Sequence, residues 1–224
     1  VDQKIPTALP ENGLEGTAEL RWGSAANERA GVVGLTAGKG PLALRVEGAS
    51  RRAGDYRVGS GWAGGRKVDG SFNETDTGSI GLSWIGSAGY LGLAYTRQQA
   101  QYGLPGHTHG FEDCHTHGLG ANMHLHCGGH GHADHDDHDH DDHDHDHDHS
   151  VPVVDMTSHR WDVRGQWNAP LQGIEAVRLR ASHTRYGHDE VEGDAVATRF
   201  RNRAHDVRVE VQHAPWPVGA ACGA

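Results

Sequence analysis

"SIGLSWIGSAGYLGLAYT", Ser79 to Thr96, is the stretch from which the fold can be read. Ile80, Leu82 and Trp84 occupy every second position, and so do Leu91, Leu93 and Tyr95 after the interruption "IGSAG". A period of two matches a strand with one apolar face, and a short Gly/Ser segment between two such runs matches a tight turn. The stretch therefore reads as an antiparallel hairpin.

The same alternation recurs on both sides. "EGTAELRW" sets Gly16, Ala18, Leu20 and Trp22 against Glu15, Thr17, Glu19 and Arg21, and a Gly-rich strand follows near Gly31–Ala37. "PLALRVEG" carries Leu42, Leu44 and Val46 against Arg45 and Glu47. Downstream, "RWDVRGQW", "EAVRLRAS" and "DVRVEVQ" place Trp161, Val163 and Trp167, then Val177, Leu179 and Ala181, then Val207, Val209 and Val211 on one side of each strand. Eight strands are predicted, and no segment shows a helical stripe.

The connections alternate. "AGKG", "IGSAG" and "NAPLQG" are short turns, whereas Gly54 to about Asn73, Tyr102 to about Asp155 and Gly187 to Val196 read as longer excursions, with Gly23 to about Arg29 of modest length. In an up-and-down sheet alternate connections share an edge, so one rim is tight and the other carries the long loops. That is the pattern of an outer-membrane barrel. A thinly apolar face opposite a charged one fits a lipid-facing exterior around a wet lumen, and it fits equally a soluble sheet with one face in water. Trp84, Tyr90 and Trp167 near the tight rim favour the barrel, which keeps aromatic girdles at the membrane interfaces. On this reading Glu47, Asp76 and Arg178 face the lumen. His159, His183, His188, His205 and His213 read as lumen or rim residues, with His188 in "YGHDE" the partial exception because it falls on a long-loop rim.

Composition sharpens the picture. The 224 residues carry a formal charge of −10, only 35% hydrophobic residues and 33 Gly. Nine Asp between Asp134 and Asp148 supply nearly all of that charge, and no basic face exists to replace phosphate counterions, which argues against nucleic acid as a partner. No apolar run approaches the ~20 residues of a spanning helix. The chain opens at Val1 without a signal peptide, and reads as a piece of something longer or a processed form.

Fifteen of the 20 His lie between His107 and His149. "HTHGFEDCHTH" offers His107, His109, Glu112, Asp113, His115 and His117; "HLHCGGHGH" offers His124, His126, His130 and His132. The tract "DHDDHDHDDHDHDHDH" adds His135, His138, His140, His143, His145, His147 and His149, each beside an Asp. Imidazole suits Zn(II), Cu(II) and Ni(II), with zinc the first choice, and the neighbouring carboxylates can ligate or orient the ring. Without apolar residues the tract should be a disordered chain of many weak, exchanging metal sites. The upstream cluster has the anchors Phe111, Leu119 and Met123, so it is the candidate for a tighter site. Among Cys114, Cys127 and Cys222, the first two are the natural disulfide if the compartment is oxidising; otherwise Cys114 is itself a possible ligand. A linker without metal function is the bland alternative.

Catalytic motifs are lacking: there is no HExxH, no GxSxG and no phosphate-binding Gly loop. A metal-binding non-enzyme is therefore expected rather than a metallohydrolase.

Several stretches together resemble one family. "VDQKIPTALPENG", "RRAGDY", "TGSIGLSWIG", "QYGLPGHTH", "EDCH", "RYGHDE" and "EGDAVATRF" are similar to the barrel of ZnuD-type TonB-dependent zinc receptors, from Val1 to about Pro215. The resemblance implies a monomeric transmembrane barrel of about 22 strands around an N-terminal plug, importing zinc across the cell outer membrane with energy passed on by the TonB system. This chain would hold the N-terminal part of that barrel: a plug-to-barrel connection over 1–14, strands 1–5 over 15–101, a His/Asp-rich extracellular metal-binding loop over 102–155, strands 6–8 over 156–213, and an atypical truncated tail over 214–224. Carried over position by position, the resemblance implies zinc ligands at Glu112, Asp113 and His115, then His107 and His109; Gly110 stands where the family has a further acidic ligand. It also implies the Cys114–Cys127 disulfide, outer-membrane lipid around the barrel, and zinc as transported cargo. The alternative function is a soluble periplasmic metal-buffering protein with a His-rich loop.

Overall fold

The computed structural model describes residues 4–59, 65–105 and 151–214, and the backbone of two short strands at 114–117 and 124–127. No helix occurs among the described residues, and the chain is all-β. The strands are β1 (Leu14–Gly23), β2 (Glu28–Lys39), β3 (Leu42–Ala53), β4 (Asn73–Gly86), β5 (Gly89–Gly103), β6 (Cys114–His117), β7 (His124–Cys127), β8 (Val153–Leu171), β9 (Ile174–Glu192) and β10 (Ala195–His213). Eight of them form one antiparallel meander in the order β1-β2-β3-β4-β5-β8-β9-β10, and β6 and β7 form a separate ribbon within the β5–β8 connection. The eight strands expected from periodicity are present.

The tight rim is built as expected. Gly40 (φ 59°) turns β2 into β3, and Gly173 (φ 85°) turns β8 into β9, both in the left-handed region where a side chain would be strained. The opposite rim carries 54–72 and 104–152, so both long excursions leave the same end of the sheet. One expected excursion is corrected. Gly187–Val196 is not a long loop: β9 runs on to Glu192, and only Gly193 and Asp194 separate it from β10. Alternation continues through "YGHDEVE", and its charges had masked the strand. As a result β8, β9 and β10 each reach 19 residues, about twice a membrane-spanning strand.

Register decides what shares a face. One row reads Leu14–Ala37–Leu44–Leu82–Leu93–Val163–Ala181–Val207, apolar in every strand. The rows on either side add Leu42, Trp84, Leu91, Leu179 and Val209, and Leu35, Val46, Ile80, Tyr95 and Trp161. Most of these side chains are exposed, Leu82 and Trp84 each 51% accessible and Val207 70%, while Ala37, Tyr95, Val163, Leu179 and Ala181 are half-buried. The fully covered hydrophobic positions are Ile5, Ala43, Ala53, Ala94, Ala100, Val154 and Ala176. The large apolar residues thus lie outside and small ones inside, the reverse of a soluble sandwich.

The other face carries Arg45, Glu47, Arg160, Asp162, Arg164, Arg178 and Arg180. Against it runs the N-terminal segment. Gly38, Ala43, Gly81, Ser83, Gly92 and Ala94 make a furrow of small residues across β2–β5, and Ile5, Leu9 and Pro10 lie along it. A Cβ at Gly92 would meet Ile5 Cγ2 at 2.4 Å and Ser83 Oγ at 2.5 Å, so the close approach requires glycine there. Two placements expected from sequence are corrected. Tyr90 pairs with Ile85 and Gln166 on this polar face, not on the apolar girdle, because it lies one residue out of phase with Leu91. Asp76 lies on the apolar side, in phase with Ile80, where Arg52 holds it at 2.6 Å.

Candidate metal-binding loop and its platform

The loop between Gly103 and Val153 is anchored at its base by two backbone bonds. Leu104 N donates to Pro152 O at 2.9 Å, and Gly103 N donates to Phe72 O at 3.3 Å. The second bond ties it to the 54–72 excursion, which folds back on itself through the Arg57–Lys67 bridge and docks on the β1–β2 turn by Gly54 N to Ala26 O at 2.9 Å. Backbone bonds therefore link the β1–β2 turn, the 54–72 excursion and the base of the 104–152 connection along the long-loop rim.

Within that segment the β6–β7 register is explicit. Cys114 lies opposite Cys127, His115 opposite His126, Thr116 opposite Leu125 and His117 opposite His124. Residues directly opposite in an antiparallel pair share a face, and those two apart along a strand share it too. The register therefore assigns His115, His117, His124 and His126 to one face of the ribbon and the two cysteines to the other. "CHTH" and "HLHC" mirror one another in sequence, and that mirror was the signal for a hairpin that strand reasoning passed over. His107, His109, Glu112, Asp113, His130, His132 and the seven His from His135 to His149 lie outside the described residues.

The sheet holds no competing centre: among the described residues no group of three or more His, Cys, Asp or Glu converges as a metal site. The isolated His fall in several places. His188 is on the polar face, stacked on Phe200 at 5.3 Å and hydrogen-bonded to Tyr186 at 3.1 Å. His159, His183 and His205 are on the apolar face, not on the charged face where lumen residues were expected; His183 and His205 stack at 4.4 Å, and His159 shares a 2.7 Å hydrogen bond with the Tyr95 hydroxyl. Only the phase of each strand separates these cases.

No protein-family model matches the chain.

Charge at the long-loop rim is organised by ion pairs. Arg199 and Arg201 reach Asp189 at 3.2 Å and 2.6 Å, and they hold its carboxyl below the usual carboxylate range, the Arg201 hydrogen bond first. These groups sit on the part of β9 and β10 that projects beyond the apolar rows. Arg51 bonds Glu28 at 2.9 Å on the polar side. Arg97, Arg185 and Arg203, to which sequence reasoning gave no role, are brought into one row by register.

Proposed function

We propose that this chain is barrel wall of an outer-membrane receptor for zinc uptake, in which the His/Asp loop gathers Zn(II) at the cell surface and the TonB system powers its import. The observation that carries the reading is the pairing of two features on one meander. Large apolar side chains are exposed on β1–β5, β8 and β10, with those of β9 half-buried in the same rows, and the 104–152 segment leaves the rim away from the tight turns.

The obliqueness of the apolar rows supports the membrane half. In β1 the apolar run from Leu14 to Trp22 centres on Ala18, whose register row ends at Arg203 in β10. The run in β10 centres on Val209, six residues further along. A drift of about six residues over seven strand steps, at about 3.3 Å per residue and 4.8 Å per strand, is a tilt of roughly 30°. Membrane barrels tilt their strands by about 35–45°. A soluble periplasmic buffer would need another layer over the same face.

The metal half follows from ligand chemistry. Neutral imidazoles paired with carboxylates capture zinc weakly and release it readily, so the tract concentrates ions near the mouth. The β6–β7 pairing sets His115 opposite His126 and His117 opposite His124, which supports the ribbon as the place of a tetrahedral zinc site. The N-terminal segment lies on the polar face, where a plug preceding it would sit inside the barrel.

The test separates the two halves. The chain should partition with outer membranes in fractionation and bind zinc there, and deleting 107–149 should abolish radiozinc retention while leaving the fractionation unchanged. A chain found in the periplasmic supernatant would end the proposal.

A further inference from the structure

Just beyond the apolar rows and on the same face, register sets Arg97, His159, Arg185 and Arg203 side by side on β5, β8, β9 and β10. The three arginines are exposed. Among the described residues Arg97 and Arg203 meet no carboxylate, and Arg185 donates only to His183 Nε2, at 3.3 Å. The nearby acids are already engaged: Asp189 by Arg199 and Arg201, Asp76 by Arg52, and Asp155 by the Gln101 amide at 2.9 Å. Cations crowded on adjacent strands repel one another, so the row calls for an external anion.

Its level on the sheet identifies the anion. Arg185 and Arg203 lie six residues from Leu179 and Val209, the centres of the apolar runs in their strands. With strands tilted by about 30° that is about 17 Å along the membrane normal, against about 12 Å for half of a 25 Å apolar band. Arg97 lies four residues from Leu93, about 11 Å up, and its long stem can carry the guanidinium to the same height. The exposed Trp161 stands directly below His159. His159, Arg185 and Arg203 also line an open hollow of about 450 Å³ with Asp189 and Arg201; because the row is continuous with the exposed apolar face below it, an anion carried on a lipid fits it better than an aqueous one.

We propose that the Arg97–His159–Arg185–Arg203 row binds the phosphates of an outer-leaflet phosphoglycolipid of the lipid A class, through bidentate guanidinium contacts. The proposal rests on the reading of the apolar face as lipid-facing, and the experiment reports the two separately. The full chain is floated with three kinds of vesicle: phosphatidylcholine alone, phosphatidylcholine with lipid A, and phosphatidylcholine with lipid A stripped of its phosphates. A basic residue near an anionic surface strengthens binding about fivefold at low salt, so three give roughly 100-fold preference for the phosphorylated vesicles. The triple variant Arg97→Gln, Arg185→Gln, Arg203→Gln should lose that preference and still float with phosphatidylcholine, while Arg→Lys at the same positions should keep most of it. Inorganic phosphate at the vesicle phosphate concentration should not compete.

Equal flotation of the wild-type chain with phosphorylated and stripped vesicles overturns the phosphate site and leaves the lipid-facing reading standing. Failure to float with any vesicle overturns both. Full competition by inorganic phosphate, or an undiminished preference in the triple Gln variant, also overturns the site.

Discussion

Replacing Leu93 by Arg tests the membrane reading most directly. Leu93 is 47% accessible, lies between Leu82 and Val163 across the strands, and has Leu91 and Tyr95 as its same-face neighbours along β5. It therefore occupies the middle of the apolar rows. A guanidinium there would sit about 12 Å from either edge of a 25 Å band, and a midplane Arg on a barrel's lipid face costs about 2–4 kcal/mol. That is roughly a 30- to 1,000-fold loss in partition. Were the face simply hydrated, a half-exposed Leu→Arg change would fall within about 0.5 kcal/mol. Gln99→Arg is the internal control, being on the same face of β5 but six residues further towards the long-loop rim, where the cost should be about 0–1 kcal/mol. The assay is a urea titration of the chain with phosphatidylcholine vesicles, following tryptophan fluorescence and flotation. Leu93→Arg should shift the insertion midpoint far more than Gln99→Arg. Equal shifts would refute the argument.

Other outcomes follow from the same structure. Calorimetry on His115→Ala with His126→Ala should show loss of the tightest zinc, whereas deleting Asp134–His149 should lower the number of ions bound and spare that site; the opposite assignment would refute the ribbon site. Zinc binding should be complete above about pH 7 and fade as pH falls below about 6.5, because protonated imidazole cannot ligate; a pH-independent stoichiometry would mean that carboxylates alone carry it. Gly92→Val should drive Ile5 off the polar face and cost about 1–3 kcal/mol, read as faster proteolysis within residues 4–13. The Asp189 carboxyl is held low in the folded chain, so its contribution is complete above about pH 4 and is lost as pH falls through the depressed value. Hydrogen exchange at the β9–β10 tip should rise on acidification in the wild type and show no such step in Asp189→Asn.

Much of the fold was legible because side chains on a strand repeat every two residues, and no packing information is needed to see that. "SIGLSW" and "YLGLAYT" declared β4 and β5, with the glycines of "IGSAG" marking their turn. The proposed metal chemistry rests on a similarly local signal, fifteen His in one segment. Where local signals conflicted, the reading failed. Charges in "YGHDEVE" hid the last third of β9, Tyr90 was assigned by its nearness to a rim instead of by its phase, and Asp76 was placed by its charge instead of its parity.

The sequence by itself determined that this is an up-and-down β protein with a histidine polymer between two strands, because both signals lie within short windows of chain. Tertiary structure alone decided which residues meet across strands. Register between segments up to about 80 residues apart aligned the Leu93 row, gathered Arg97, Arg185 and Arg203, and set His115 opposite His126 and His117 opposite His124, and packing laid Ile5 in a furrow of small residues. The physical reason is that a one-residue slip in pairing exchanges the two faces of a strand, and composition carries no record of that slip.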